Sequence, residues 1–534
     1  MCCLWRLLVP VLLIVPLHAA AGMPGADEKW RHFQSEHFEL YSRNTEGESR
    51  DLLHSLELVH AIFFETFGFT VTRAVPVTVY FFSREKHFET YKPEAYRKID
   101  NIAAFYHPGL DRGIMTMAPL PSYEAAQRLA FGSYTHHLFR LMNERPPVWY
   151  ERGVSGIFRN LELTAKQFEL GKADPQQVSR LQTARLLPVD VLLAADHKSD
   201  AYMANQNNDL FPDESWALVH YLYFGEHKLP RERVREFVGY ALATSQKFDA
   251  ADTQQMFADT LGLTYEKMNR ELERYFRNGR YGYSRVPLPA VASAKSYAMR
   301  KVPVAEIDLR LAELAMRANQ SPQGKLALLQ AAERPADAVR AQEVLGAAAA
   351  GQGEWDQAVE RWAQALAAGS TNPAIIHELA QYEGRRRFQR FDLYFRLPDD
   401  DAASLRGLLE KSIAAAPQQS SGYELLAWVE ATAREPQVRN VNLVQQNFPR
   451  LKVKDRTLLA LAVVRLRLGD KAGATELLDA LEKGERSDWV RYGIEHTRAQ
   501  LEDRPVNRAN LPAGASRRTS PVPPLRMQIG KPPQ

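Results

Sequence analysis

Apolar residues recur with clear periods over most of this chain. From residue 30 to about 41, the stretch HFQSEHFELYS alternates between apolar and polar well enough to predict a strand. Over 46–68, Leu52, Leu56, Val59, Phe63 and Phe67 recur at spacings of three and four, which places them on one face of a helix. Residues 76–82 (PVTVYFF) are β-branched and aromatic, as a strand requires. Segments 102–107 and 113–117 flank Pro-Gly-Leu-Asp-Arg, which predicts a hairpin. A helix is expected over 122–142, with Ser122 as its N-cap and Glu124 in its first turn. Pro146 and Pro147 end it, a second helix starts near Trp149, and helices dominate to about Tyr281.

Between Tyr283 and Pro303 the pattern breaks up (SRVPLPAVASAK), which predicts a linker. Beyond it the chain turns alanine- and leucine-rich with helical periodicity. Leu345-Gly346, Gly353, Ala358, Trp362 and Ala365 resemble the tetratricopeptide pattern of paired helices, in which small residues let two helices touch. Leu461-Ala462, Gly469, Ala474 and Leu478 repeat it loosely, and a third unit around Leu426-Ala427 is degenerate in its second helix. One such unit cannot bury its apolar face alone, so roughly five helix pairs are expected to stack.

The chain has 534 residues, too many for one compact core. Its 68 basic and 64 acidic residues nearly cancel, and no basic stripe with interleaved aromatics appears, which argues against nucleic acid as a partner. Arg6, the apolar run 7–17 and Ala19-Ala20-Ala21 read as a secretory signal cut near Ala21; a retained N-terminal anchor is the alternative. The run is too short for a comfortable membrane span. Both cysteines, Cys2 and Cys3, precede it, so the mature chain has neither disulfides nor thiolate ligands. An exported chain without cysteine fits a bacterial envelope, periplasmic or extracellular.

The segments PVTVYFF, APLPSYEAAQRLAFGSYTHHLFRL, PPVWYERGVSGIF and ESWALVHYLYFG, spread over residues 30–280, resemble the peptidase-MA-like family of gluzincin zinc peptidases. That resemblance implies an α+β fold and a helix reading His-Glu-Tyr-Thr-His-His where this chain has Gly132-Ser133-Tyr134-Thr135-His136-His137. The next helix would read Trp-Tyr-x-Glu-Gly where this chain has Trp149-Tyr150-Glu151-Arg152-Gly153. Two histidines four apart share a helix face and grip one ion, the glutamate between them activates its water, and a second glutamate completes the set. By this alignment Gly132 stands at the first ligand, Ser133 at the general base and Arg152 at the third ligand; only His136 remains. A guanidinium about 4 Å from a divalent ion repels it by roughly 8 kcal/mol at an effective dielectric of about 20. Glu151 is the nearest substitute, but one step along a helix turns a side chain by about 100°. Arg152 is therefore expected to fill the empty pocket, face His136 across a cleft and pair with a carboxylate.

Other candidates stand beside this one. Ser133 and His136, one turn apart, suggest a nucleophile and base without an orienting carboxylate. His377-Glu378-Leu379-Ala380-Gln381 nearly spells a zinc motif and reads as a solvated helix face, while His220 reads as core. Phe388, Phe391, Tyr394 and Phe395, set among arginines, are the first place to look for a partner contact, or else pin a loop to the helices. The expected architecture is a signal (1–21), an α+β gluzincin-like domain (22–290), a linker (291–302), an all-α tetratricopeptide-like solenoid (303–503) and a disordered Pro-rich tail (504–534), mostly helical overall. The expected function is protein or peptide binding through the repeats, without catalysis, cofactor or stable membrane span. The alternative is an active zinc metallopeptidase with a rearranged ligand set.

Overall fold

The computed structural model describes residues 22–27, 29–97, 102–142, 146–204, 210–225, 229–244, 250–278, 280–388, 396–451, 454–483 and 487–506. The expected signal, most of the Pro-rich tail, and Phe391, Tyr394 and Phe395 lie outside the described residues. The strand expected over 30–41 is a hairpin of β1 (Arg31–Gln34) and β2 (Phe38–Ser42), which pair antiparallel. The Ser35 N–H closes its turn onto the Phe38 carbonyl at 3.0 Å. Helix α1 (Glu46–Phe67) starts at a capping box, in which Thr45 and Glu48 satisfy each other's backbone N–H, and ends at Gly68, whose φ is +67°. Then come β3 (Val77–Phe81), α2 (Glu85–Tyr91), the hairpin β4 (Ala104–Pro108) and β5 (Gly113–Met117), α3 (Tyr123–Leu141) and α4 (Val148–Arg159).

The chain next makes β6 (Glu162–Leu163) and β7 (Gln167–Leu170), followed by α5 (Pro175–Thr183), α6 (Val189–Ala194), α7 (Asp200–Ala204) and α8 (Leu210–Phe224). Helices α9 (Arg231–Thr244), α10 (Ala250–Leu261) and α11 (Tyr265–Asn278) complete the first half. Two strands follow where a linker was expected. β8 (Ser284–Pro287) pairs with β7 in a three-stranded sheet, and β9 (Ala298–Lys301) pairs antiparallel with β1. The main sheet therefore has six strands in the order β4-β5-β3-β2-β1-β9, with β2, β3 and β5 parallel. Within the expected linker 291–302, Ala298–Lys301 thus forms an edge of that sheet.

The rest is helical: α12 (Val304–Asn319), α13 (Pro322–Ala332), α14 (Pro335–Gly351), α15 (Trp355–Ala367), α16 (Pro373–Arg387) and α17 (Asp399–Ala415). The series continues through α18 (Ser420–Thr432), α19 (Val438–Asn447), α20 (Lys454–Arg467), α21 (Lys471–Glu482) and α22 (Asp488–Leu501), eleven helices among the described residues. Among the described residues no helix is long and apolar enough to cross a membrane. Where the repeat pattern put small residues, helices do touch. A Cβ on Gly346 would lie 2.5 Å from Trp362, and Gly353 and Gly469 turn their loops with φ of +81° and +84°.

Alternation along the strands gives the main sheet two apolar faces. Phe38, Leu40, Val77, Val79, Phe81, Met115 and Met117 pack with residues of α1 and α3 in one core. Tyr41, Tyr80 and Ile114 point the other way and share a core with Ile307, Leu311 and Leu314 of α12. The first helix of the expected solenoid thus covers the sheet of the first half.

Charges lock this contact. Glu313 of α12 is fully buried and accepts from Arg340 of α14 at 2.7 Å and Arg317 at 3.0 Å, with Arg112 of the β4–β5 hairpin at 3.8 Å. Arg317 also donates to Asp111 at 2.7 Å, and Arg112 pairs with Glu343 of α14. Burial pushes the Glu313 carboxyl up, but the pull of Arg340, Arg317 and Arg112 outweighs it and holds the group below the ordinary carboxylate range. Farther along, Tyr80 donates to the Arg310 carbonyl at 3.1 Å, Asn372 to the Asp111 carbonyl at 3.0 Å, and Arg73 to Glu378 at 2.6 Å.

Two predictions follow from these buried groups. Glu313→Ala removes the carboxylate that three buried arginines share and leaves Arg340 without its close partner, so denaturant melts should show a loss of about 3–5 kcal/mol, with both halves affected. Burial drives His60 and His377 down to about 3, and His107 and His220 to about 4. These histidines stay neutral when folded, whereas the unfolded chain takes up protons below about 6.5, so stability should drain away as pH falls from there toward 4. A urea midpoint equal at pH 7 and pH 5 would contradict this.

Candidate functional site between two helices

Helix α3, which carries Gly132, Ser133 and His136, is capped by Ser122, its Oγ accepting from the Ala125 N–H at 3.2 Å. Ala130, Tyr134 and Leu138 anchor its inner face in the core. Tyr134 and His137 are fully buried in a polar relay. His37 Nδ1 donates to Glu57 Oε2 at 2.7 Å, and its ring stacks on His60, whose ring centroid is 3.7 Å away. His60 meets the Tyr134 hydroxyl at 2.9 Å, and His137 meets the Tyr106 hydroxyl at 2.9 Å. The second histidine of the His136-His137 pair therefore belongs to the core.

Gly132 faces α4 at close range. A Cβ there would lie 3.0 Å from the Ser155 carbonyl oxygen and 3.1 Å from its hydroxyl. The Gly132 carbonyl accepts from Ser155 Oγ at 2.9 Å and Thr135 Oγ1 at 2.7 Å. Tight helix contact gives this glycine a physical reason to be there.

The next turn brings His136 and Glu151 together. His136 Nδ1 lies 2.6 Å from Glu151 Oε1, and both side chains are about one-fifth exposed. This corrects two expectations: Glu151 reaches His136 despite the helical offset, and Arg152 does not take that place. Arg152 instead donates to the Tyr202 hydroxyl at 2.5 Å and lies over that ring at 5.6 Å, so its partner is a phenol in place of the expected carboxylate. Its Nε is buried without a partner among the described residues. Burial raises the Glu151 carboxyl, and His136, by charge and hydrogen bond, outweighs burial with help from Arg152 and His197, so the group ends below its ordinary value.

These residues do not fit a zinc centre of the family's kind. The position of the first ligand has no side chain and little room for one, the histidine is engaged by a carboxylate, and a cation occupies the third position. Among the described residues no group of three or more His, Cys, Asp or Glu is placed to hold a metal ion. Glu151 does supply the orienting carboxylate that the Ser133–His136 pair lacked in sequence. No hydrogen bond joins Ser133 to His136, however, so the arrangement holds an oriented imidazole without an engaged nucleophile.

The remaining candidates fall into place separately. His377 is buried, not solvated: Ser412 Oγ lies 2.9 Å from Nδ1 and Gln419 Nε2 lies 2.8 Å from Nε2. Its spacing matched a surface face, but the face is covered by α17 and the start of α18. His220 is core, bonded to the Gly171 carbonyl at 2.6 Å and the Tyr275 hydroxyl at 2.8 Å. Phe388, half-buried at the end of α16, lines a cavity of about 580 Å³ with Arg385, Glu424, Trp428, Arg456 and Trp489. His197 and Tyr202 were missed because they sit in a stretch without a motif. Glu151 was visible in sequence but was set aside on helical geometry.

A cycle of His136→Ala and Glu151→Gln should give a coupling of about 1–2 kcal/mol near neutral pH. Because the Glu151 carboxyl is depressed, its contribution is present above the ordinary carboxylate pKa and is lost as pH falls through the folded value. Additive single effects at pH 7 would refute the pair. The chain matches no family model and no curated protein.

Proposed function

We propose that this chain is an exported, non-catalytic relative of the gluzincin peptidases that binds other proteins through a tetratricopeptide-type array. The observation that carries the reading is the pairing of His136 with Glu151 beside an Arg152 bound to Tyr202, which leaves no open ligand set. The protein partner is a peptide or helix held by the helical pairs, and the aromatic and arginine side chains around Phe388 are its contact candidates. The tight Gly346–Trp362 contact and the left-handed glycines at the turns support the array. Export rests on the apolar run 7–17 ahead of Ala19-Ala20-Ala21. Cleavage near Ala21 would leave the packed chain whole, since Met23 is buried with its N–H on Asp308 of α12.

Metal analysis of the full-length mature protein, purified without chelator, is the test. The expected result is far less than one zinc per chain and no chelator-sensitive hydrolysis of denatured casein. A stoichiometric zinc with such hydrolysis would establish the rearranged metallopeptidase instead. A second reading, a metal-independent hydrolase, is favoured by the Glu151 contact to His136 and predicts that a serine-directed phosphonate labels the chain at Ser133; the scaffold reading expects no label.

A further inference from the structure

The first residues after the expected signal are held more firmly than a chain end requires. Met23-Pro24-Gly25-Ala26 closes a turn, with the Ala26 N–H on the Met23 carbonyl at 3.0 Å and Gly25 at a φ of +86°. Trp30 Nε1 donates to the Gly25 carbonyl at 2.9 Å, and the Tyr91 hydroxyl of α2 donates to the Pro24 carbonyl at 2.7 Å. Arg43 Nε donates to Asp27 at 3.1 Å. The Met23 side chain, 5% exposed, packs in the core that Ile307 and Leu311 of α12 share with the sheet.

This anchoring brings the backbone of Gly22 and Met23 against Asp308 of α12. The Met23 N–H donates to Asp308 Oδ1 at 2.5 Å. Asp308 is half-buried, and among the described residues no lysine, arginine or histidine pairs with it. Other acidic groups of this contact have cations: Glu306 pairs with Arg300, and both Glu313 and Asp111 pair with Arg317. A half-buried carboxylate without a cation is a place where a positive charge adds stability.

Gly22 is exposed, and a Cβ built on it would lie 3.2 Å from Asp308 Oδ1. The nitrogen and the Cβ of a residue are both bonded to Cα at about 1.5 Å, so a turn of about 120° about the Cα–C bond carries one into the place of the other. While Ala21 is attached, that nitrogen is an uncharged amide. As the first atom of the chain it is free to rotate, and glycine has no side chain to obstruct the turn. The resulting ammonium would stand about 3.2 Å from the carboxylate.

We propose that signal removal makes this cation: the chain is cut between Ala21 and Gly22, and the Gly22 α-ammonium becomes the counter-ion of Asp308. One water is consumed, its oxygen going to the Ala21 carbonyl carbon to make a carboxylate while the nitrogen leaves protonated; a signal peptidase that accepts Ala19 and Ala21 supplies the catalysis. The cut adds an ion pair between the start of the first half and the helix that starts the array, so the processed chain is the more firmly assembled form. The inference rests on the export reading and goes beyond it by giving the cut a structural effect.

Intact-mass measurement of the exported protein reads the cut, and Gly22 is the expected first residue. The ion pair is read separately, on the chain 22–534 released from a fusion so that Gly22 comes first. It should melt about 1–2 °C above the chain 20–534, in which Ala20 and Ala21 keep the Gly22 nitrogen an amide. Asp308→Asn keeps an acceptor for the Met23 N–H and removes the charge, so with it the two chains should melt alike. At pH 7.5 the Gly22 amine of the parent should react with acetic anhydride several-fold more slowly than that of Asp308→Asn, a difference that packing alone would not produce. A first residue other than Gly22 overturns the cut, and an uncut exported chain overturns the export reading with it. Equal melting of the two parent chains, or equal amine reactivity in parent and Asp308→Asn, overturns the ion pair whatever the exported chain shows.

Discussion

A sheet with two apolar faces needs two covers, and this requirement organises the molecule. Helices α1 and α3 cover one face and α12 covers the other, yet α12 also starts the helical array. The cover is held by ions as well as by apolar packing. Glu313 sits at zero exposure among Arg112, Arg317 and Arg340, which come from the sheet hairpin and from two helices of the array. A buried cluster of this kind contributes little net stability over an apolar one, but it makes the mutual placement of its parts exacting, since any shift leaves a charge unpaired. The two halves therefore behave as one body, and His136 on α3 lies on a scaffold fixed from both sides.

That rigidity gives the His136–Glu151 pair its meaning. A histidine with an oriented Nδ1 is a feature of working active sites, and also of sites whose metal is gone and whose ligands have found one another. Gly132 is spent on bringing α3 and α4 together, and Arg152 is drawn off to a phenol. Between them His136 and Glu151 form a hydrogen-bonded pair, each side chain about one-fifth exposed.

Local periodicity made much of the fold legible. Helices α1 and α3, strand β3 and the β4–β5 hairpin follow directly from repeats of apolar residues and from caps such as Ser122. The strand at 30–41 was misread as continuous because the Ser35-Glu36-His37 turn sits between two short runs that each alternate. β9 was invisible for a different reason: all four of its residues are exposed, so it joins the sheet by backbone hydrogen bonds and leaves no apolar signature. The site was half legible. Spacing located Gly132, Ser133, His136 and Arg152, but which carboxylate reaches His136 depends on how α4 is rolled against α3. The partner of Arg152, Tyr202, comes from the short helix α7, too brief to show a period in the sequence.

The double duty of α12 has a consequence for how such an array can change. Repeat proteins commonly lengthen or shorten by duplicating or deleting internal units, protected at each end by a helix with a polar outer side. At its proximal end this array has no such spare surface, because that side of α12 is already buried in the sheet and α14 is tied to the same charges. Additional helices can enter only beyond α14, toward α22, so the distal helices are where this architecture is free to vary.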